Sequence, residues 1–153
     1  MKVLAWLMLL AANVCAADYY LYYKTTSLSG AAETVTIQQP SSSARRVDFY
    51  SASVYCSVAC TITLKRDGTA ATTTAGTVLA LSADYPAAKA TAFHTSNVGA
   101  GTTLATHVLA AGQTMTLELE GISMTQSSTA RNFSISTSSI TGDATIAIKW
   151  RER

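Results

Sequence analysis

Cys56 and Cys60 are the residues whose type and spacing point most directly to chemistry. Only Ser57, Val58 and Ala59 separate them. If the flanking segments form a hairpin with a three-residue loop, both sulfurs lie on one side of the ribbon. A disulfide then forms where the Cα separation suits it. Two buried thiols, or two ligands of a metal site that needs further donors, are the alternatives. The sequence favours a disulfide between Cys56 and Cys60.

The other reactive side chains do not form a catalytic pattern. His94 and His107 lie in different predicted strands, without an HxH or HExxH spacing. Neither a GxSxG turn nor a phosphate-binding glycine loop occurs. Glu118 and Glu120 share the polar side of a predicted strand. We therefore expect no enzymatic activity, no cofactor and no metal, and structural or surface roles for both histidines.

A group of tyrosines near the amino end is the candidate binding feature. Tyr19, Tyr20, Tyr22 and Tyr23 lie within five residues. Tyrosine rings stack on sugars and anchor protein interfaces, because they combine apolar area with a hydroxyl group. In a strand, however, alternate tyrosines face the core and the solvent. The group is thus a candidate interface or ligand platform, or a part of an ordinary strand.

Short β-strands are the elements that must position these residues. Only 13% of the chain is charged while 48% is hydrophobic, and its many Thr, Val, Ile and Tyr residues favour pleated sheets. Alternation and turn residues predict strands at Tyr19–Thr26, Glu33–Gln39, Arg45–Cys56, Cys60–Arg66, Thr77–Ser82, Lys89–Ser96, Thr103–Leu109, Thr114–Glu120, Arg131–Thr137 and Ala144–Trp150. We predict an all-β protein: a two-sheet antiparallel β-sandwich, jelly-roll-like, without a helix longer than one turn after residue 17.

The hairpin that would hold the two cysteines has a defined register. Val54 would face Ile62, and Ala52 would face Leu64, on the buried side of the ribbon. Thr61 and Thr63 would then face outward.

Residues 1–17 differ from the rest and resemble a secretory signal peptide. Lys2 precedes the apolar run Val3–Ala12, and small residues follow. The run is too short for a stable membrane span. We predict a leader over 1–17, cleaved after Ala16 or Ala17, and a single domain over 18–153. An uncleaved helix, or a lipoprotein acylated at Cys15, is the alternative.

The charge of the chain limits its partners. A net charge of +2 with scattered basic residues gives too weak a field to attract nucleic acid. We expect a homo-oligomer or contacts with neighbouring surface or capsid subunits, and glycan as a further ligand class. In one version, Tyr19–Thr26 is a strand lent to a neighbouring subunit.

The segments "VTIQQP", "VYCSVACTITLKRDGTAATTT", "ATAFHTSNVGAGTT" and "SSITGDATIAIKW" resemble small single-domain β-sandwich proteins of unassigned activity from bacterial and phage genomes. The low charge and Ser/Thr/Ala-rich strands are also similar to virion decoration and fibre proteins, although a signal peptide departs from that pattern. The resemblance implies a non-enzymatic structural or surface protein. We expect it to be secreted, periplasmic or on the cell surface; a phage virion component is the first alternative and a glycan-binding module the second.

Overall fold

The computed structural model describes residues 16–67, 74–95 and 101–153, and these residues form β-strands and loops without a helix. The strands are β1 (Ala17–Ala31), β2 (Thr34–Gln39), β3 (Val47–Cys56), β4 (Cys60–Arg66), β5 (Thr74–Gly76), β6 (Leu79–Ala80), β7 (Thr91–Thr95), β8 (Thr102–Leu109), β9 (Gln113–Glu118), β10 (Ser123–Met124), β11 (Arg131–Thr137) and β12 (Ile140–Glu152). The prediction of an all-β protein is confirmed. The leader predicted over residues 1–17 lies outside the described residues except for Ala16 and Ala17.

Two antiparallel sheets pack face to face. Sheet A has the order β10-β3-β12-β1-β6, and β9 also pairs with β3; sheet B has the order β5-β7-β2-β11-β4-β8. The longest pairing joins β1 to β12, from Ala17 opposite Glu152 to Ala31 opposite Ile140. The two-sheet sandwich predicted from the alternating pattern is confirmed.

The core lies between the sheets and consists of the inward residues of each strand. In β4, Ile62 and Leu64 are buried while Thr61 and Thr63 are partly exposed, as the period of two requires. Aromatic pairs fill the centre. Tyr19 stacks on Trp150 within sheet A at 5.9 Å between ring centroids, and Phe49 of sheet A meets Phe133 of sheet B at 4.4 Å. The Phe49–Phe133 contact joins the two sheets.

The predicted hairpin between the two cysteines is wrong, although the predicted disulfide is present. β3 pairs with β12, β9 and β10 in sheet A, whereas β4 pairs with β11 and β8 in sheet B. The three-residue connection therefore crosses from one sheet to the other. The Cys56–Cys60 disulfide, with a Cα separation of 6.4 Å, closes this crossing. Alternating burial is the same for two strands side by side and for two strands facing each other, so the pattern could not separate these arrangements.

The crossing is held against the start of β12. The Ser57 N–H donates to the Asp143 carbonyl at 2.9 Å, and the Asp143 N–H donates to the Ser57 hydroxyl at 2.7 Å. Gly142 has a φ of 151°, and a Cβ there would lie 2.4 Å from the Ser57 hydroxyl oxygen. Glycine at 142 thus permits the close approach.

Candidate binding surfaces

The four clustered tyrosines divide between the two faces of β1. Tyr19 is buried in the core and donates its hydroxyl proton to the Pro86 carbonyl at 2.7 Å. Tyr23 also points inward, and its ring stacks on His94 at 3.7 Å between centroids. Tyr20 and Tyr22 lie on the outer face of sheet A, where Tyr22 is 53% exposed. A surface platform can therefore include Tyr20 and Tyr22 but not Tyr19 or Tyr23.

The strand register places small polar residues beside the two outward tyrosines. Two rows cross sheet A from β1 through β12 and β3 to β9: Tyr20, Lys149, Ser51 and Glu118 form the first, and Tyr22, Ala147, Ser53 and Thr116 the second. A depression of about 280 Å³ lies over these rows. We call this surface the tyrosine face. Its floor is low where the small side chains of Ala147, Ser51 and Ser53 lie between β1 and β9.

Charges on the tyrosine face are unevenly paired. The Arg151 guanidinium donates to both oxygens of Asp18, at 2.6 and 2.9 Å. This pair lowers the pKa of Asp18, because hydrogen bonding to Arg151 favours the carboxylate. The Lys149 ammonium lies 6.0 Å from the centre of the Tyr20 ring. Among the described residues, neither Lys149 nor Lys24 forms an ion pair with a carboxylate.

The edge of sheet B is a second candidate surface. β8 pairs with β4 on one side and, in the described chain, with no strand on the other. Its sequence, TTLATHVL, contains no Asp, Glu, Lys, Arg or Pro. Val108 is 77% exposed and Leu104 39%. Such an uncharged edge offers free backbone N–H and C=O groups to another strand.

A groove runs between β8 and β9, the neighbouring edge of sheet A. Its volume is about 470 Å³, and its apolar lining includes Leu64, Leu104, Met115, Leu117 and Ile122. The groove follows β8 along the open side of the sandwich. An added strand on β8 would thus also cover apolar side chains.

Glu33 is a buried carboxylate at one end of the core. Its Oε2 accepts a hydrogen bond from the Thr25 hydroxyl at 2.5 Å, while its Oε1 has no hydrogen-bond partner in the described part of the chain. Burial raises the pKa of Glu33, because the ionised form loses its hydration. His94 faces the same interior from β7, and burial lowers the pKa of its imidazole. No hydrogen bond joins the two side chains across the described residues, so they do not form an acid–base pair.

Glu152, which is fully buried, has a structural role. Its carboxylate accepts hydrogen bonds from the backbone N–H groups of Lys89 and Ala90, at 2.9 and 3.0 Å. The Arg45 guanidinium lies 3.4 Å from the same carboxylate. These bonds fasten the segment before β7 to the end of β12. A carboxylate occupied in this way has little freedom for other chemistry.

Sequence reasoning missed both buried glutamates, although a signal was present. Glu152 continues the alternation of Ile146, Ile148 and Trp150, and Glu33 precedes Val35 at the same spacing of two. Parity alone therefore places both side chains inward.

The remaining predicted positions are distributed over the molecule. His107 is partly buried on β8, and Glu118 and Glu120 are exposed, as predicted for a polar strand face. Within residues 16–67, 74–95 and 101–153, no group of three or more His, Cys, Asp or Glu side chains could hold a metal ion. None of the described segments is a helix long and apolar enough to cross a membrane. Comparison with protein-family models, curated proteins and solved structures found no significant match to this chain.

Proposed function

We propose that the protein is a non-enzymatic structural protein that is exported and self-associates. The uncharged edge strand β8 is the observation that carries this proposal. A second copy that pairs with β8 would satisfy its free backbone groups and cover Val108, which is 77% exposed. The adjoining apolar groove adds area that a neighbouring subunit can bury.

The geometry of β8 defines which part of the edge is suited to pairing. The register with β4 shifts between Leu64 and Lys65, so Leu104 is an extra residue in β8. Such a bulge interrupts the strand and hinders another strand from pairing with that part of the edge. Ala105–Leu109 continues without interruption and includes Val108. We expect a second copy to pair along these five residues.

Two further features support export. The signal-like segment 1–17 ends where the first strand of the sandwich begins, at Ala17. The Cys56–Cys60 disulfide is typical of oxidising compartments. A virion decoration or fibre component is the alternative. The intact mass of protein from its natural source separates the two: loss of residues 1–16 or 1–17 supports export, and a retained Met1 supports the virion.

The strand pairing itself is tested by light scattering during size-exclusion chromatography. We expect the wild-type protein to have the mass of a dimer or larger oligomer. Val108→Lys places a charge on the edge and should give a monomer. Leu81→Lys is the matched control, because Leu81 is 55% exposed but lies outside any strand. A monomeric wild-type protein, or a Val108→Lys variant with unchanged mass, contradicts the proposal.

We place this association on β8 rather than on the Tyr19–Thr26 segment. It belongs to β1, which pairs with β12 along its length and with β6 at Tyr19 and Tyr20. These pairings within the chain favour β8 over a lent Tyr19–Thr26 strand as the site of association.

A further inference from the structure

We propose that the tyrosine face of sheet A binds an acidic saccharide, whose sugar ring stacks on Tyr22 and whose carboxylate meets Lys149. This site is independent of β8, which is the edge strand of the other sheet. The inference therefore goes beyond the proposed self-association.

The shape of the face suits a flat ring rather than a protein element. Neighbouring strands are spaced by about 4.8 Å, so the rows from β1 to β9 span roughly 14 Å. Large side chains, Tyr20 and Tyr22, stand on β1, whereas Ala147 and Ser53 form the floor beside them. A protein partner would require apolar anchoring pockets, whereas the side chains on this floor are small: Ala147, Ser51, Ser53 and Thr116.

The chemistry of the lining matches a sugar. Tyr22 lies beside the depression, next to Ala147, and offers an exposed aromatic ring, which provides a broad amphipathic surface for stacking. The hydroxyl groups of Ser51, Ser53 and Thr116 line the depression. Each hydroxyl both donates and accepts hydrogen bonds, so the floor complements the similar groups around a pyranose ring.

The charge distribution selects an acidic ligand. The Lys149 ammonium lies 6.0 Å from the centre of the Tyr20 ring and has no ion-pair partner among the described residues. Lys24, two residues beyond Tyr22, adds a second positive charge without an ion pair in the described part of the chain. Arg151 neutralises Asp18 at the opposite end of the face. Glu118 lies on β9, three strands from Tyr20, and opposes binding only at that edge. A carboxylate is thus best placed over β1 and β12.

Isothermal titration calorimetry tests the proposal with three probes. Tetragalacturonic acid and sialyllactose supply carboxylates from two kinds of glycan, and cellotetraose is the neutral control. We expect binding of at least one acidic probe, weakened by added salt, and much weaker binding of cellotetraose. The acidic probe that binds more tightly shows which of the two kinds of glycan, galacturonic acid polymer or sialylated sugar, the site prefers. Absence of binding by both acidic probes, or equal binding of cellotetraose, overturns the proposal.

Variants locate the site. Tyr22→Ala should weaken binding about tenfold, because it removes the stacking surface. Lys149→Met keeps most of the side chain's length and should weaken binding about threefold while reducing its dependence on salt. Lys89→Met removes a positive charge outside the tyrosine face and should leave the affinity unchanged, as should the edge variant Val108→Lys. Wild-type affinity in both Tyr22→Ala and Lys149→Met shows that the ligand binds elsewhere and overturns the proposal.

Discussion

At the scale of single residues, Glu33 has a buried carboxylate whose desolvation opposes folding. Its Oε1 is buried without a hydrogen-bond partner in the described residues, and Thr25 satisfies only Oε2. Because burial raises the pKa of Glu33, the folded state binds this proton more tightly than the unfolded state does. The contribution of Glu33 to stability is therefore complete below the unfolded pKa and is lost as the pH rises through the folded pKa.

Glu33→Gln should remove this dependence. The glutamine oxygen still accepts from the Thr25 hydroxyl, and no buried charge forms at neutral pH. We expect the free energy of unfolding at pH 7 to increase by about 1 kcal/mol, with little change at pH 4. Urea unfolding of the wild-type protein and the variant at pH 7 and pH 4 measures this difference in stability. His94 titrates in both proteins, so its contribution cancels when the two are compared.

Glu118→Gln is the matched control, because it makes the same chemical change on an exposed side chain of β9. It should change stability by no more than a few tenths of a kcal/mol. A Glu33→Gln variant that is less stable than wild type at pH 7 would show that the ionised carboxylate stabilises the fold.

At the scale of elements, alternation predicted what β3 and β4 bury but not which strands they meet. It was wrong for β2 and β11, which bury residues on both faces. The orientations of Tyr20 and Tyr22 follow from the parity of β1. Their neighbours Lys149 and Ser51 come from β12 and β3, and no local pattern encodes that pairing. The ends of the long strands were also missed. β12 begins at Ile140, before the predicted Ala144, since pairing with β1 extends the strand through Gly142.

The disulfide across the β3–β4 crossing provides a prediction at this scale. The loop that it closes is short, so the chain-entropy relation gives a contribution of about 2 kcal/mol to the free energy of unfolding. In a Cys15→Ser background, the reduced protein should be less stable than the oxidised protein by this amount in urea.

A variant that also carries Cys56→Ser and Cys60→Ser is the control, and dithiothreitol should not alter its stability. Equal stability of the oxidised and reduced forms in the Cys15→Ser background would mean that hydrogen bonds of Ser57 with Asp143 hold the crossing without the disulfide.

At the scale of the whole molecule, the sandwich is closed by strands distant in the chain. β1 pairs with β12 in sheet A, and β2 pairs with β11 in sheet B. The sequence predicted two sheets from the number and spacing of the strands. It could not predict this pairing, because many strand orders bury the same alternating residues. Since each sheet contains strands from both halves of the chain, neither half can form a complete sheet alone.

This topology predicts a single cooperative unfolding transition. Trp150 is fully buried against Tyr19 where β1 meets β12, and in a Trp6→Phe variant it is the sole tryptophan. Its fluorescence should therefore follow the loss of sheet structure in far-ultraviolet circular dichroism, with the same midpoint in urea. Refolding should take milliseconds to seconds, because the chain must first bring its distant strands together. Fluorescence that changes at lower urea than the circular dichroism would contradict this prediction, since it would mean that β1 and β12 separate while the remaining strands stay folded.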